Sequence, residues 1–280
     1  MRRSNIITML ILIGIIVTIS MYILVTGKTS IDFNPSENST QQESESQDIN
    51  TSESEETEET ESVDSTESTE STETESEQKP QPPAGVTESM DTALFIGDSR
   101  TVGIQAYSGM SEPDYFAAVS TSVNGVINKD ARIDVEGVGN VNISELLDQK
   151  KYDKIYIMLG INEAGSGPAT IATNTKKLVD LIQSKQPDAV IFIMANLYVS
   201  QGYQDSRPAF STENMKAINS AQGALANNQN IFYMDANFMF VDANGNLSSD
   251  YSGDGCHLRA KEYIRWVEWI KEQTKELLGL

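Results

Sequence analysis

The 280 residues include 41 acidic and 20 basic side chains, a formal net charge of −21, and no basic patch argues for a nucleic-acid partner. The only cysteine, Cys256, cannot form an internal disulfide, so a folded domain here must rest on its apolar core. The only histidine, His257, confines imidazole chemistry to one position.

At the amino terminus Arg2-Arg3 precede a stretch from Ser4 to Gly27 with no charged residue, long enough to cross a bilayer as a helix. A transmembrane anchor is therefore expected over residues 1–28, with residues 6–26 in the membrane. A cleaved signal peptide is the competing reading. Its apolar core would be about 7 to 15 residues long and followed by small residues, whereas this run is longer and Leu24-Val25-Thr26-Gly27 is a poor cleavage site. With Arg2 and Arg3 held inside, the rest of the chain lies outside the membrane. Localisation at the cell membrane follows, single-pass with the amino terminus cytoplasmic, and a bacterial surface is expected.

Residues 29–84 are almost entirely Ser, Thr, Glu and Gln, with 17 acidic residues against the single basic Lys79. Such a segment cannot bury a core and is expected to stay disordered and self-repelling. As a random coil it would span roughly 40 Å, enough for a tether through a surface layer. Most of the chain's negative charge resides here, so the acidic balance says little about a substrate.

Residues 85–280 have the composition of one globular domain. Apolar runs at Ala93-Leu94-Phe95-Ile96, Tyr115-Phe116-Ala117-Ala118-Val119, Ile155-Tyr156-Ile157-Met158-Leu159, Ala189-Val190-Ile191-Phe192-Ile193-Met194 and Ile231-Phe232-Tyr233-Met234 predict five strands. Their lack of alternation suits strands covered on both faces. Helical spacing follows the third strand (Ile171, Leu178, Leu181, Ile182) and the fourth (Met215, Ile218, Ala221, Leu225). A last helix puts Ala260, Tyr263, Ile264, Val267, Ile270, Leu277 and Leu278 on one face, with Trp266 and Trp269 as packing or rim residues. The predicted fold is α/β, a three-layer α/β/α sandwich around a five-stranded, mainly parallel sheet.

Three short motifs bear chemistry. Gly97-Asp98-Ser99 ends the first strand, where a serine at a helix amino terminus has unpaired N–H groups and the positive end of the dipole beside it. Alone, Ser99 reads first as a helix cap, and only other parts of the chain can overturn that reading. Asp254-Gly255-Cys256-His257 can fold back in a tight turn, so that Asp254 accepts the Nδ1 proton and Nε2 is free to take a proton from Ser99. Gly253 and Gly255 permit the turn. Gly160-Ile161-Asn162 follows the third strand, where the Asn162 amide either donates to an oxyanion or serves only the turn.

In this order and at these strand ends, the three motifs resemble those of the SGNH hydrolases, also called the GDSL family, over the whole domain. The resemblance implies a flavodoxin-like fold and a carboxylic ester hydrolase with Ser99 as nucleophile, His257 as base, Asp254 as its orienting partner and Asn162 in the oxyanion hole. It implies no metal and no cofactor. The family's second oxyanion donor is the N–H of a glycine after the second strand. Here Ser120 directly follows Val119 and is the first candidate, with Gly125 the alternative. Two further positions depart from the pattern: Glu163 stands where Asp is usual, and Arg100 where Leu is usual. Arg100 is suited either to an anionic substrate group or to a structural ion pair.

Three other features are set aside. Asp242-Ala243-Asn244-Gly245-Asn246 lacks the sixth-position glycine and twelfth-position glutamate of a calcium loop and reads as a hairpin turn. Cys256 adjoins His257, and neighbouring residues seldom converge on one point. No Gly-x-Ser-x-Gly elbow is present. The expected substrate, from the location, is an O-acylated and above all O-acetylated carbohydrate of the wall or surface. A lipid or thioester acylhydrolase, or a binding module that has lost turnover, are the alternatives.

Overall fold

The computed structural model describes residues 85–280; the expected anchor over 1–28 and tether over 29–84 lie outside the described residues. Among the described residues no helix is long and apolar enough to cross a membrane.

Each apolar run becomes a strand. The central sheet contains β1 (Ala93–Gly97), β2 (Asp114–Ala117), β5 (Lys154–Met158), β6 (Val190–Met194) and β7 (Ile231–Met234), while β3 (Ile133–Val135) and β4 (Gly139–Val141) form a separate antiparallel pair. The sheet order is β2-β1-β5-β6-β7 and every pairing in it is parallel. All five residues of β1, β5 and β6 are buried, as unalternating runs require.

The helices are α1 (Ser99–Tyr107), α2 (Val123–Ile127), α3 (Ile143–Gln149), α4 (Pro168–Lys185), α5 (Gln201–Asp205), α6 (Thr212–Gly223) and α7 (Glu262–Leu278). One face of the sheet carries Leu94, Ile96, Ile155, Ile157, Ile191 and Ile193, packed with Val123, Leu146, Leu178 and Ile218 from α2, α3, α4 and α6. The other face carries an aromatic row. Parallel register aligns Tyr115, Phe95, Tyr156, Phe192 and Phe232, with Phe95 and Tyr156 stacked at 4.4 Å and Tyr156 and Phe192 at 4.8 Å. Such pairs add about 0.5–1.5 kcal/mol each beyond their burial. Ile104 of α1 and Trp266, Val267 and Ile270 of α7 cover that row. The three-layer sandwich expected from the sequence is the observed fold.

Local differences have simple causes. Strand β2 stops at Ala117, and Val119 is 70% exposed, so Ser120 lies three residues beyond the strand rather than against it. In α7 the buried positions are Glu262, Tyr263, Trp266, Val267, Ile270, Thr274 and Leu278, and Ile264 points to solvent. Its place one residue after Tyr263 turns it about 100° off the covered stripe. Trp266 is wholly buried, whereas Trp269 packs edge-on against Phe238. Asn244 and Gly245 do form a turn, closed by the Val241–Leu247 bridge.

Helices α1 and α7 touch closely. A Cβ at Gly103 would lie 2.3 Å from the Tyr263 ring, so the glycine lets Tyr263 pack directly on the α1 backbone. Counting central strands alone, the order is 2-1-3-4-5, and the connection reverses between β1 and β5. Open α/β sheets bind ligands outside the carboxyl ends of strands at such a point. Ser99 follows β1 and Asn162 follows β5.

Candidate active site

The buried strand β1 ends at Gly97, and Asp98 begins the helix. Its Oδ1 accepts the Arg100 N–H at 2.9 Å, which makes Asp98 the cap and gives Ser99 the first helical position. The reading of Ser99 as a mere cap therefore fails. Asp98 is fully buried, which raises its carboxyl pKa, against the opposing pull of the Arg100 charge, the Arg100 N–H and His257.

Ser99 Oγ lies 2.8 Å from His257 Nε2, and His257 Nδ1 lies 2.7 Å from Asp254 Oδ2. The two segments are 158 residues apart in sequence. Asp254 Oδ1 accepts the N–H groups of Cys256 at 2.9 Å and His257 at 2.8 Å, so the turn folds back on its own carboxylate. Gly255 makes this turn at φ +79, and a Cβ there would also lie 2.2 Å from Ser200 Oγ. Gly253 needs no such conformation. Partial burial works to raise the Asp254 pKa. The His257 N–H, the imidazole and the Cys256 N–H outweigh it and hold the carboxyl well below the usual carboxylate range. A carboxylate only accepts hydrogen bonds, so Nδ1 carries the ring proton and Nε2 presents its lone pair to the Ser99 hydroxyl.

Asn162 is the second residue of the 3₁₀ turn Ile161–Ser166 after β5 and donates from Nδ2 to the Thr121 carbonyl at 2.8 Å. That bond uses one of its two amide N–H groups. The next residue, Glu163, accepts the Val123 N–H on Oε1 at 2.6 Å. Asn162 and Glu163 thus grip Thr121 and Val123, the segment that follows Ser120. Burial pushes the Glu163 carboxyl pKa up against the pull of the Val123, Asn124 and Glu163 N–H groups, and the Asp98 charge adds to the rise. Ser120 is exposed, at φ 64. Gly125 is committed elsewhere, since its N–H caps α2 by donating to Ser122 Oγ at 3.0 Å.

Sequence reasoning missed the buried amides behind this turn. Asn196 accepts the Ile161 N–H on Oδ1 at 3.1 Å, donates to the Leu159 carbonyl at 3.1 Å and contacts Gln222 at 3.0 Å. It fixes the backbone on both sides of Gly160 and so aims Asn162. Nothing in the run Met194-Ala195-Asn196 signals this, because its partners come from the turn after β5 and from α6.

Arg100 is closed off from solvent and makes no ion pair among the described residues, so neither role expected of it is seen. It is 1% exposed, and its Nε and Nη2 donate to the Cys256 carbonyl at 3.3 and 3.2 Å. Cys256 is buried with Sγ against Arg100 Nη2 at 3.8 Å, far from the attitude of a nucleophile.

A cleft of about 420 Å³, lined by Val102, Ala106, Tyr107 and Tyr263, opens beside Ser99 and His257. Larger hollows of about 470 and 600 Å³ lie around Asp134 and around Tyr152, and neither includes Ser99, Asp254 or His257. Among the described residues no cluster of His, Cys, Asp and Glu could hold a metal ion.

Comparison with known proteins bears on the fold and the family. Three solved structures share the fold. One, assigned as a platelet activating factor from Streptococcus pneumoniae, is 21% identical, with a TM-score of 0.52 over 65% of this chain and 83% of its own. An assigned acylhydrolase from Bacteroides fragilis is 13% identical, with a TM-score of 0.50 over 70% and 92%. A GDSL-like lipase from Bacteroides thetaiotaomicron is 12% identical, with a TM-score of 0.50 over 69% and 94%. At these identities the likeness bears on the fold alone. No curated protein matches the chain. Residues 95–263, more than half of the sequence, match the GDSL-like Lipase/Acylhydrolase family, and the chain belongs to that family.

Proposed function

We propose that this carboxylic ester hydrolase is a membrane-tethered, extracytoplasmic serine esterase that removes short O-acyl groups, above all O-acetyl, from wall or surface polysaccharide. The observation that carries the chemistry is the unbroken chain from Ser99 Oγ through the His257 ring to Asp254, at 2.8 and 2.7 Å. Ser99 attacks the ester carbonyl as His257 Nε2 takes its proton. The oxyanion is met by the second Asn162 N–H and by backbone N–H groups at Ser99 and Ser120. His257 then returns the proton to the departing alcohol, and an acyl-Ser99 ester remains. Water, deprotonated by His257, releases the acid.

The location rests on the uncharged Ser4–Gly27 stretch and the acidic tether of residues 29–84. A surface-borne esterase meets polysaccharide esters there, and the solvent-open cleft beside Ser99 suits a bulky alcohol and a short acyl group. The full chain is expected to hydrolyse p-nitrophenyl acetate faster than the butyrate or octanoate and to release acetate from O-acetylated wall polysaccharide. Preference for octanoate, with no acetate released, would overturn the substrate assignment.

Asn162→Ala is expected to lower kcat about 10² to 10³-fold with KM nearly unchanged, because its donor acts on charge that develops only in the transition state. A rise in KM at constant kcat would remove Asn162 from the oxyanion hole.

A further inference from the structure

The segment carrying His257 has no helix or strand from residue 248 to 261 beyond the isolated Ser252–Leu258 bridge. Most of its hydrogen bonds are internal. Asp254 Oδ1 takes the N–H groups of Cys256 and His257, and Ser252 Oγ reaches the His257 carbonyl at 2.7 Å. Those bonds fix the shape of the turn but not its distance from α1. The Ser200 N–H to Gly255 carbonyl bond, 2.8 Å, ties it toward α5 rather than toward Ser99.

One side chain spans the remaining gap. Arg100 is the residue after Ser99, and the carbonyl it holds belongs to Cys256, the residue before His257. Two N–H donors of one planar group on a single oxygen constrain the direction of the Cys256–His257 peptide as well as its distance. Burying a guanidinium is costly unless it is compensated, and an apolar side chain of similar volume would fill the space without that cost. The fully buried Asp98 on the same turn forms no ion pair with Arg100: burial raises the Asp98 carboxyl pKa against the pull of the Arg100 charge, and Asp98 Oδ2 and Arg100 Nη1 both lack a hydrogen-bond partner among the described residues. What the guanidinium adds over an apolar residue is therefore a fixed orientation of the base-bearing loop.

We propose that Arg100 is a positioning residue that clamps the Cys256–His257 peptide to the nucleophile helix and so keeps His257 Nε2 within hydrogen-bonding reach of Ser99 Oγ. The inference rests on the reading of Ser99 and His257 as nucleophile and base. Its geometric content is testable apart from turnover, because the chain has one histidine.

The test uses the full chain, purified without a histidine tag, as wild type, Arg100→Leu and Arg100→Lys. The imidazole ¹⁵N resonances then report on His257 alone, while p-nitrophenyl acetate kinetics report on turnover. In the leucine variant the Nδ1–H and Nε2 signals are expected to broaden or shift, and kcat to fall about 10 to 100-fold with KM within threefold, the effect of about 1 Å of misplacement. Arg100→Lys, which keeps the charge and one donor, is expected to lose only 3 to 10-fold at an unchanged unfolding temperature; it is the deciding variant if the leucine protein does not fold. Unchanged imidazole signals together with wild-type kcat in the deciding variant overturn the proposal and leave the nucleophile reading standing. Perturbed imidazole signals in a protein whose wild type lacks esterase activity uphold the clamp and overturn the nucleophile reading.

Discussion

Ser99→Ala and His257→Ala are each expected to lower kcat for p-nitrophenyl acetate on the order of 10⁴-fold or more, and the double variant to be little worse than either single one. The expectation follows from the 2.8 Å contact between Ser99 Oγ and His257 Nε2, since the base has no use without the hydroxyl and the hydroxyl is a poor nucleophile without the base. Neither change threatens the fold. Ser99 and His257 are only partly buried, and the cap of α1 belongs to Asp98. Steady-state kinetics on protein with wild-type circular dichroism measure the effect. Losses that multiply in the double variant would show two independent contributions rather than one proton-transfer unit.

Asp254→Asn is expected to cost about 10³ to 10⁴ in kcat while leaving KM within a few-fold. The carboxamide oxygen can still accept the Cys256 and His257 N–H groups, so the turn is preserved. Its NH₂ group then faces His257 Nδ1, makes that nitrogen an acceptor and moves the ring proton to Nε2, where it meets Ser99 Oγ. The base is present but turned to the wrong tautomer. In the wild type the depressed Asp254 pKa keeps the carboxylate ionised across the pH range of esterase assays. By linkage, its contribution to stability is fully present above the unfolded-state value of about 3.9 and is lost as pH falls below that toward the lower folded value. The Asn variant should therefore be low in kcat at every pH from 5 to 9, with no recovery at either end. A loss under tenfold would show that Asp254 does not set the tautomer.

The fold and the core of the site were legible in the sequence because their signals are local. Five unbroken apolar runs specify strands, and the first and third end on Gly97 and Gly160, just ahead of Ser99 and Asn162. Asp254 and His257 are three residues apart, so their pairing needs only a turn. What stayed hidden depends on partners distant in sequence. Arg100 meets Cys256 across 156 positions and Glu163 meets Val123 across 40, and no spacing rule connects such pairs. The β3–β4 pair is three residues a strand, and α2 and α5 are five-residue helices, too short for periodicity to register. The Gly125 N–H is taken by Ser122 Oγ, a capping bond that the residue types alone do not disclose.

The central claim is that Ser99 is the activated nucleophile. Its most direct test is the intact mass of the full chain after treatment with a fluorophosphonate, followed by peptide mapping. One adduct per chain, on Ser99 and absent from Ser99→Ala, is the expected result. An adduct that persists in Ser99→Ala, or a wild type that takes none, would contradict the account.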